Sequence, residues 1–221
     1  MEKLISKDIS SQVAELFNEL ESGVEILFFG TEKNCGHCEV IEQLIGEVAE
    51  LSSLIGYQTL DIEKEASLAE KYHVAEAPTL VMLRRDGDKL VDFGIRLLGA
   101  PAGHEFTTLV HDILFVSKRQ SGLSEETRAY LHGLDAPVLL QVFVTPTCPY
   151  CPQAVLLAHQ MAMESELVQA EMVESTEFFE LANRYNVSGV PQTTINAGAG
   201  RVVGAVPERV LLEQIQTALN R

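Results

Sequence analysis

Two short cysteine motifs recur along the chain at a fixed distance, and this repeat constrains the fold more than any other feature of the sequence. The four cysteines all belong to C-x-x-C pairs: Cys35, Cys38, Cys148 and Cys151. The first cysteines of the two pairs are 113 residues apart (148 − 35), and so are the second cysteines (151 − 38). One shared spacing can be trivial, so the offset has to be tested on other residues.

A second pair of segments shares this offset. The stretch "LAEKYHVAEAPTL" (68–80) matches "LANRYNVSGVPQT" (181–193), and the alignment places Pro78 over Pro191. An offset common to a cysteine motif, a helix-like segment and a proline indicates an internal duplication. The sequence therefore predicts two homologous units.

Both units predict the same order of elements. The apolar runs "VEILFFG" (24–30) and "PVLLQVFV" (137–144) have the character of buried strands, and each ends just before a C-x-x-C pair. Helical periodicity follows each pair, and the remaining segments predict the order β-α-β-α-β-β-α after an N-terminal helix. We expect an α/β fold with two units, residues 1–118 and 119–221, each with a central mixed β-sheet flanked by helices.

A strand that ends at a C-x-x-C pair, a helix after it and a proline before the third strand resemble the thioredoxin fold. The tandem arrangement, with "CGHC" in unit one, "TPTCPYCP" in unit two and "GAPAGHEFTTLV" (99–110) between them, resembles the two-domain protein disulfide oxidoreductases, also called glutaredoxin-like proteins. The last of these segments is also similar to the N-terminal domain of the alkyl hydroperoxide reductase flavoprotein subunit. The resemblance covers essentially the whole chain.

The resemblance implies a function as well as a fold. It implies two tandem thioredoxin-like folds, the second one thioredoxin/glutaredoxin-like, and a protein disulfide oxidoreductase that serves cell redox homeostasis through redox-active disulfides. It implies protein disulfide substrates, no bound cofactor, no metal, and an NADPH-dependent flavoprotein of the thioredoxin reductase type as electron donor.

The spacing of each C-x-x-C pair suits thiol–disulfide exchange. A thiol at a helix N-terminus is stabilised as the thiolate, because unpaired N–H groups and the helix dipole place partial positive charge there. The thiolate attacks a substrate disulfide, and a second thiol three residues later resolves the mixed disulfide. We expect Cys35 and Cys148 to attack, and Cys38 and Cys151 to resolve.

The residues inside the motifs are expected to tune the cysteines. His37 in "CGHC" can stabilise the Cys35 thiolate, which makes the first pair the more oxidising one. Pro149 in "CPYC" fits the first position of a helix, and Tyr150 is a candidate for substrate contact. Pro152 is expected at the end of the first helical turn, where its missing N–H predicts a kink.

The two repeated prolines are candidates for substrate binding. The resemblance implies that Pro78 and Pro191 are cis prolines, and that the backbone of Ala77 and Val190 pairs with an extended substrate peptide. The alternative is that both prolines simply begin an edge strand.

One thioredoxin feature is missing from the sequence. Thioredoxins carry a buried acid six residues before the first cysteine, but Phe29 and Val142 occupy those positions here. Glu32 is a candidate for proton transfer in unit one, although a solvated loop charge is the simpler interpretation. The sequence therefore assigns no general base.

Three other functions compete with protein disulfide exchange. A glutathione-dependent glutaredoxin is suggested by "CPYC", but a basic residue soon after Cys151 and a Gly-Gly-x-Asp pattern are missing. A structural Cys₄ zinc site would need the two pairs to converge, although zinc ribbons separate theirs by about 15–20 residues. A non-enzymatic peptide-binding module is the third alternative.

The charge excludes some classes of partner. With 16 Lys and Arg against 32 Asp and Glu, the formal net charge is −16, which repels nucleic-acid phosphates and anionic membranes. The N-terminal residues lack the pattern of a secretory signal, and the apolar runs are far shorter than the roughly 20 residues of a membrane span. We expect a cytoplasmic protein without nucleic-acid or membrane partners, in which cysteine pairs are catalytic rather than structural.

Overall fold

The computed structural model describes residues 3–33 and 35–220 of the chain. Its regular elements follow the predicted order in both units. They are α1 (Lys7–Leu16), β1 (Val24–Gly30), α2 (Cys38–Ala49), β2 (Ile55–Asp61), α3 (Ala66–Lys71), β3 (Thr79–Asp86), β4 (Lys89–Leu98), α4 (Glu105–Lys118), α5 (Glu125–His132), β5 (Val138–Val144), α6 (Cys151–Ala162), β6 (Val168–Glu174), α7 (Phe179–Arg184), β7 (Gln192–Ile195), β8 (Gly200–Val203) and α8 (Glu208–Leu219). The predicted α/β class is confirmed.

The first helix of each unit begins at a serine cap. The hydroxyl of Ser6 accepts the N–H of Ile9, and that of Ser124 accepts the N–H of Thr127, both at 3.3 Å. Such a side chain satisfies one of the N–H groups that a helix leaves without an intrahelical partner. Helix α4 ends at Lys118, and the segment 119–124 connects it to α5. The domain boundary between residues 118 and 119 stays a prediction.

The strands of the two units form one sheet. Its order is β2-β1-β3-β4-β6-β5-β7-β8, and strands β4 and β6 pair in parallel from Ile95 opposite Ala170 to Leu98 opposite Val173. Because this pairing covers an edge strand of each unit, neither β4 nor β6 presents unpaired backbone groups to solvent along that stretch. The sequence did not predict this joining of the two sheets.

The two faces of the sheet are packed differently. A large apolar core lies under α2, α4, α6 and α8 and includes side chains from both units. On the opposite face, one small core lies under α3 around Phe29, and another lies under α7 around Phe143. In the part of the chain that the structure describes, every helix is too short or too polar to cross a bilayer.

Gly94 permits the close approach of the two units in the sheet. It has φ +74°, and an added Cβ would lie 2.4 Å from the carbonyl oxygen of Val168 on β6. We expect Gly94→Ala to lower the free energy of unfolding by about 2–4 kcal/mol, because backbone strain and a backbone clash coincide. Urea unfolding would measure this loss.

Gly87→Ala is the matched control for Gly94→Ala. Gly87 lies in the β3–β4 turn with φ +61°, and an added Cβ would meet nothing within 4 Å. Its cost should be that of a left-handed residue alone, about 1 kcal/mol. Equal losses in the two variants would show that contact with Val168 does not matter for stability.

Candidate redox sites

The sheet topology brings both C-x-x-C pairs to the same edge. Strands β1 and β4 are each antiparallel to β3 and hence parallel to each other, while β4 is parallel to β6 and β6 to β5. The pairs follow the carboxyl ends of β1 and β5. Because the carboxyl ends of parallel strands lie at the same end of a sheet, both motifs lie at that end of the molecule.

Each C-x-x-C pair closes on itself as a disulfide. Cys35 is bonded to Cys38 and Cys148 to Cys151, with Cα atoms 5.5 Å apart in both pairs. The first pair is half-buried, whereas Cys148 is 7 % exposed and Cys151 is fully buried. The sulfurs are thus bonded within each motif instead of converging on one ion, and residues 3–33 and 35–220 contain no cluster of three metal-ligating side chains.

The helix after the second motif begins later than the predicted position of Pro149 requires. Helix α6 begins at Cys151, with Tyr150 as its cap, so the prediction that Pro149 occupies the first helical position is wrong. Pro152 is instead the second residue of the helix, where an N–H has no intrahelical partner to lose. The expected kink therefore has no cause, and the helix continues to Ala162.

The tuning residues of the two motifs have different surroundings. Pro149 and Tyr150 are exposed, the tyrosine by 68 %. His37 is the residue just before α2, and its Nδ1 lies 3.0 Å from Oε2 of Glu177, which belongs to unit two. No pattern in the sequence pointed to this contact, since the two residues are far apart in the chain and Glu177 has a lysine, Lys64, at its repeat position.

Both repeated prolines follow cis peptide bonds, as predicted. The bonds are Ala77–Pro78 and Val190–Pro191. Both prolines are buried, and the alanine and valine before them are half-buried. The edge-strand alternative is wrong, because β3 lies between β1 and β4, and β7 between β5 and β8. Substrate pairing at these residues stays a prediction.

Buried acids do occur near the second pair, but they come from helix α4. Phe29 and Val142, at the positions where thioredoxins carry an acid, are fully buried apolar residues. Glu105 on α4 is 1 % exposed, and its Oε2 accepts the Thr108 hydroxyl at 2.6 Å. Among the described residues its Oε1 is buried and has no hydrogen-bond partner.

The packing of α4 against α6 places Glu105 level with Cys151. Asp112 on α4 accepts a hydrogen bond from Nδ1 of His159 on α6 at 2.9 Å, and the His104 N–H donates to the Pro146 carbonyl just before the second motif. The two helices therefore run side by side in the same direction. Glu105 precedes Asp112 by seven residues, and Cys151 precedes His159 by eight on one helix face, so similar axial rises of about 10–12 Å separate each pair.

Burial controls the charge of this acid cluster. It raises the pKa of Glu105 to about 7, an increase that the Thr108 hydrogen bond and His159 oppose and that Asp112 adds to. Burial also raises the pKa of Asp112, against the influence of His159. A carboxyl group that titrates near neutral pH at the level of a resolving thiol is suited to proton transfer. Glu105 lies in the segment "GHEF", where no sequence pattern distinguishes it from the other acids of the chain.

A polar cleft lies on the opposite face of the sheet, between α3 and α7. Arg96, Gln141 and Glu171 form part of its floor. None of the described residues that line it is a cysteine, so it is separate from the redox chemistry of the two motifs.

The thioredoxin family models match both halves of the chain. The model described as "Thioredoxin" matches residues 8–95, and the one described as "Thioredoxin domain" matches residues 138–217. A crystal structure of a protein disulfide oxidoreductase from Aeropyrum pernix is 30 % identical to this chain, with a TM-score of 0.88 over 98 % of this chain and 94 % of that one. The chain belongs to the two-domain protein disulfide oxidoreductases.

Other relatives of this disulfide oxidoreductase share its fold. The structure of the alkyl hydroperoxide reductase AhpF from Enterococcus faecalis has a TM-score of 0.87 at 24 % identity, over 96 % of this chain and 100 % of that one. The corresponding reductase protein from Staphylococcus epidermidis is 25 % identical over 203 residues, which are 90 % of this chain. The chain covers only 36 % of the length of that curated relative.

Proposed function

We propose that this protein reduces and isomerises disulfides in other proteins through both C-x-x-C pairs. The observation that carries the proposal is the repeated site: each pair forms its own disulfide after a parallel strand, in a fold unit that also holds a cis proline. In this proposal the more exposed cysteine of the second pair, Cys148, attacks, and the fully buried Cys151 resolves.

The proposed reduction balances electrons and protons. The Cys148 thiolate bonds to one substrate sulfur, and the other substrate sulfur departs as a thiolate and takes up a proton. The Cys151 thiol then loses its proton and attacks the Cys148 sulfur, which releases the second substrate thiol. The substrate gains two electrons and two protons, and the protein keeps a disulfide that a reductant must reopen.

Glu105 is our candidate for the proton acceptor of Cys151. Its buried carboxylate, with a pKa of about 7, can take the thiol proton near neutral pH and return it when the disulfide is reduced. Glu105 would thus provide the buried acid that thioredoxins carry at the positions of Phe29 and Val142.

The substrate is proposed to bind as an extended peptide beside the cis prolines. The carbonyl of Pro78 accepts the Gly99 N–H at 3.0 Å, and that of Pro191 accepts the Gly204 N–H at 2.8 Å. These hydrogen bonds hold the prolines at the start of β3 and β7, and we place the substrate backbone against the preceding residues, Ala77 and Val190. A substrate segment must be extended to pair there as a β-strand, so unfolded or flexible segments would bind best.

The cellular setting is part of the proposal. Protein disulfides are the proposed substrates, an NADPH-dependent flavoprotein of the thioredoxin reductase type is the proposed electron donor, and the cytoplasm is the proposed compartment. The net charge of −16 supports a preference for protein partners over nucleic acids and membranes.

A glutaredoxin-type reaction with glutathione is the second candidate, favoured by the "CPYC" sequence and the exposed Tyr150. We prefer protein substrates, because the sequence lacks the basic and Gly-Gly-x-Asp elements that hold glutathione in glutaredoxins. A glutathione mixed disulfide should accordingly be reduced far more slowly than a protein disulfide.

Dithiothreitol-driven reduction of insulin disulfides tests the proposed function. We expect the wild type to turn over, and the Cys35→Ser/Cys148→Ser variant to fall to the uncatalysed rate, since a serine hydroxyl stays protonated and cannot form the mixed disulfide. A glutathione mixed disulfide serves as the comparison substrate. Equal rates for the wild type and the double variant would overturn the proposed function, and faster turnover of the glutathione substrate would favour the second candidate.

A further inference from the structure

The first redox motif makes a contact with the second unit that has no counterpart in the repeat. Nδ1 of His37 lies 3.0 Å from Oε2 of Glu177. At the offset of 113 residues, His37 corresponds to Tyr150, and Glu177 corresponds to Lys64. Lys64 pairs with the exposed Glu32 of its own unit. The His37–Glu177 pair is thus specific to the first site.

Glu177 is held by hydrogen bonds just beyond the carboxyl end of β6. Its side chain is 9 % exposed, and its Oε1 accepts the N–H of Ala100 at 2.7 Å. Its own N–H donates to the buried Glu174 carboxylate at 2.7 Å. Gly99 makes room for this arrangement, because an added Cβ would lie 2.7 Å from the Cβ of Glu174 and 3.0 Å from Oε1 of Glu177.

The position of Glu177 determines which nitrogen of His37 carries a proton. An ionised carboxylate only accepts hydrogen bonds, so Nδ1 of the neutral ring has to be the donor and Nε2 the unprotonated nitrogen. The His37 side chain is 54 % exposed, and the residue lies between the two cysteines of its motif. Nε2 is therefore the ring nitrogen that the Glu177 contact leaves free to accept a proton.

We propose that Glu177 of unit two is a positioning residue for the first redox site, which fixes the tautomer of His37 so that Nε2 carries protons for Cys35 and Cys38. This inference rests on the proposed function and extends it, because it makes the first site dependent on the second unit.

Proton transfers at Nε2 complete the reaction of the first site. In the reduced site, Nε2 has taken the proton of the Cys35 thiol. When the Cys35 thiolate bonds to a substrate sulfur, the departing substrate thiolate takes that proton from Nε2. The Cys38 thiol then gives its proton to Nε2, its sulfur attacks Cys35, and the second substrate thiolate leaves and takes the proton. The substrate disulfide becomes two thiols, the Cys35–Cys38 pair becomes a disulfide, and Glu177 holds Nδ1–H throughout.

Glu177→Gln tests this proposal with little change of shape. The glutamine oxygen can still accept the Ala100 N–H, whereas its NH₂ group then faces Nδ1 of His37 and favours the tautomer with the proton on Nε2. Glu180→Gln is the matched control, since Glu180 is an exposed acid three residues away and its replacement changes the net charge equally.

Two measurements are needed. Long-range ¹H–¹⁵N NMR of the oxidised full-length protein reads the protonation of each His37 nitrogen, and insulin reduction is measured in a Cys148→Ser/Cys151→Ser background that leaves only the first site. We expect Glu177→Gln to move the ring proton from Nδ1 to Nε2 and to slow the first site about tenfold, with neither change in Glu180→Gln.

Two results would overturn the proposal: a His37 tautomer that is the same in the wild type and in Glu177→Gln, or a changed tautomer with an unchanged rate. Inactivity of the first site before Glu177 is replaced would instead contradict the proposed function of that site. The NMR spectrum of the oxidised protein reads the Glu177 contact without any turnover, so the two failures are distinguishable.

Discussion

Cys148→Ser is expected to remove most of the insulin-reducing activity, to less than about a tenth of the wild-type rate, whereas Cys35→Ser should retain more than about half. The reason is that the second motif combines an attacking cysteine before a helix start with a fully buried partner, Cys151, and an acid at the same level. Both cysteines of the first motif are half-buried, and His37 between them is expected to make that site the more oxidising one.

The control for this comparison is Cys151→Ser. That variant can still form the mixed disulfide at Cys148 but cannot resolve it, so its second site should trap the substrate covalently after one event, while the first site keeps its own slow turnover. Mass spectrometry of the unreduced reaction would detect the trapped adduct. A Cys35→Ser variant that loses more activity than Cys148→Ser would assign the reductase role to the first motif and contradict our ranking of the two sites.

Glu105→Gln should slow the second site about 100-fold at pH 8, because a neutral amide cannot accept the Cys151 proton. In the wild type, the rate of that site should rise with pH through about 7 as Glu105 ionises. The variant should lose this rise. Single-site turnover in a Cys35→Ser/Cys38→Ser background, followed from pH 5.5 to pH 8.5, measures both effects.

The same substitution should change stability in the opposite direction. Burial raises the pKa of Glu105 from 4.5 to about 7, so the folded state binds the proton more tightly than the unfolded chain. The stabilisation of the folded state by the protonated Glu105 is fully present below pH 4.5 and is lost as pH rises through 7. The free energy of unfolding falls by about 3 kcal/mol over this range. Glu105→Gln should therefore unfold at higher urea concentration than the wild type at pH 8, while its activity is lower.

Glu171→Gln is the matched control for Glu105→Gln. Burial also raises the pKa of Glu171, but this acid lies on the opposite face of the sheet, where it accepts hydrogen bonds from Gln141 and Gln169. Its replacement should alter stability without slowing the second site. If both variants lost activity equally, a general effect of buried acids on the fold would explain the result, and Glu105 would not be the proton acceptor.

The repeat and the local periodicities were sufficient to predict the element order of each unit, and the family resemblance added the thioredoxin fold. Element order follows from periodicities of two and 3.6 residues, which are local, and the shared offset of 113 residues ties the cysteines and prolines of both units together. The positions of Pro149 and Pro152 relative to the start of α6 were wrong because a proline is compatible with either of the first helical positions.

The relationships between the units could not be predicted from the sequence. Pairing of β4 with β6 depends on backbone hydrogen bonds between edge strands, which leave no periodic pattern in the side chains. Glu177 and Glu105 are two acids among 32, and only the packing of Gly99 and of α4 against α6 shows which acids are buried beside cysteine motifs. Both acids lie far in sequence from the cysteine motifs for which we propose their roles.

The joined sheet also fixes how far apart the two disulfides can be. Four strand-to-strand steps separate β1 from β5, and at about 4.8 Å a step the two strands that lead into the motifs are about 19 Å apart. Disulfide exchange requires sulfur atoms in contact, so electrons cannot pass directly from one pair to the other while the β4–β6 ladder is intact. The molecule therefore presents two reactive sulfur pairs at a constant span, an arrangement suited to engaging two disulfides of one large client at once.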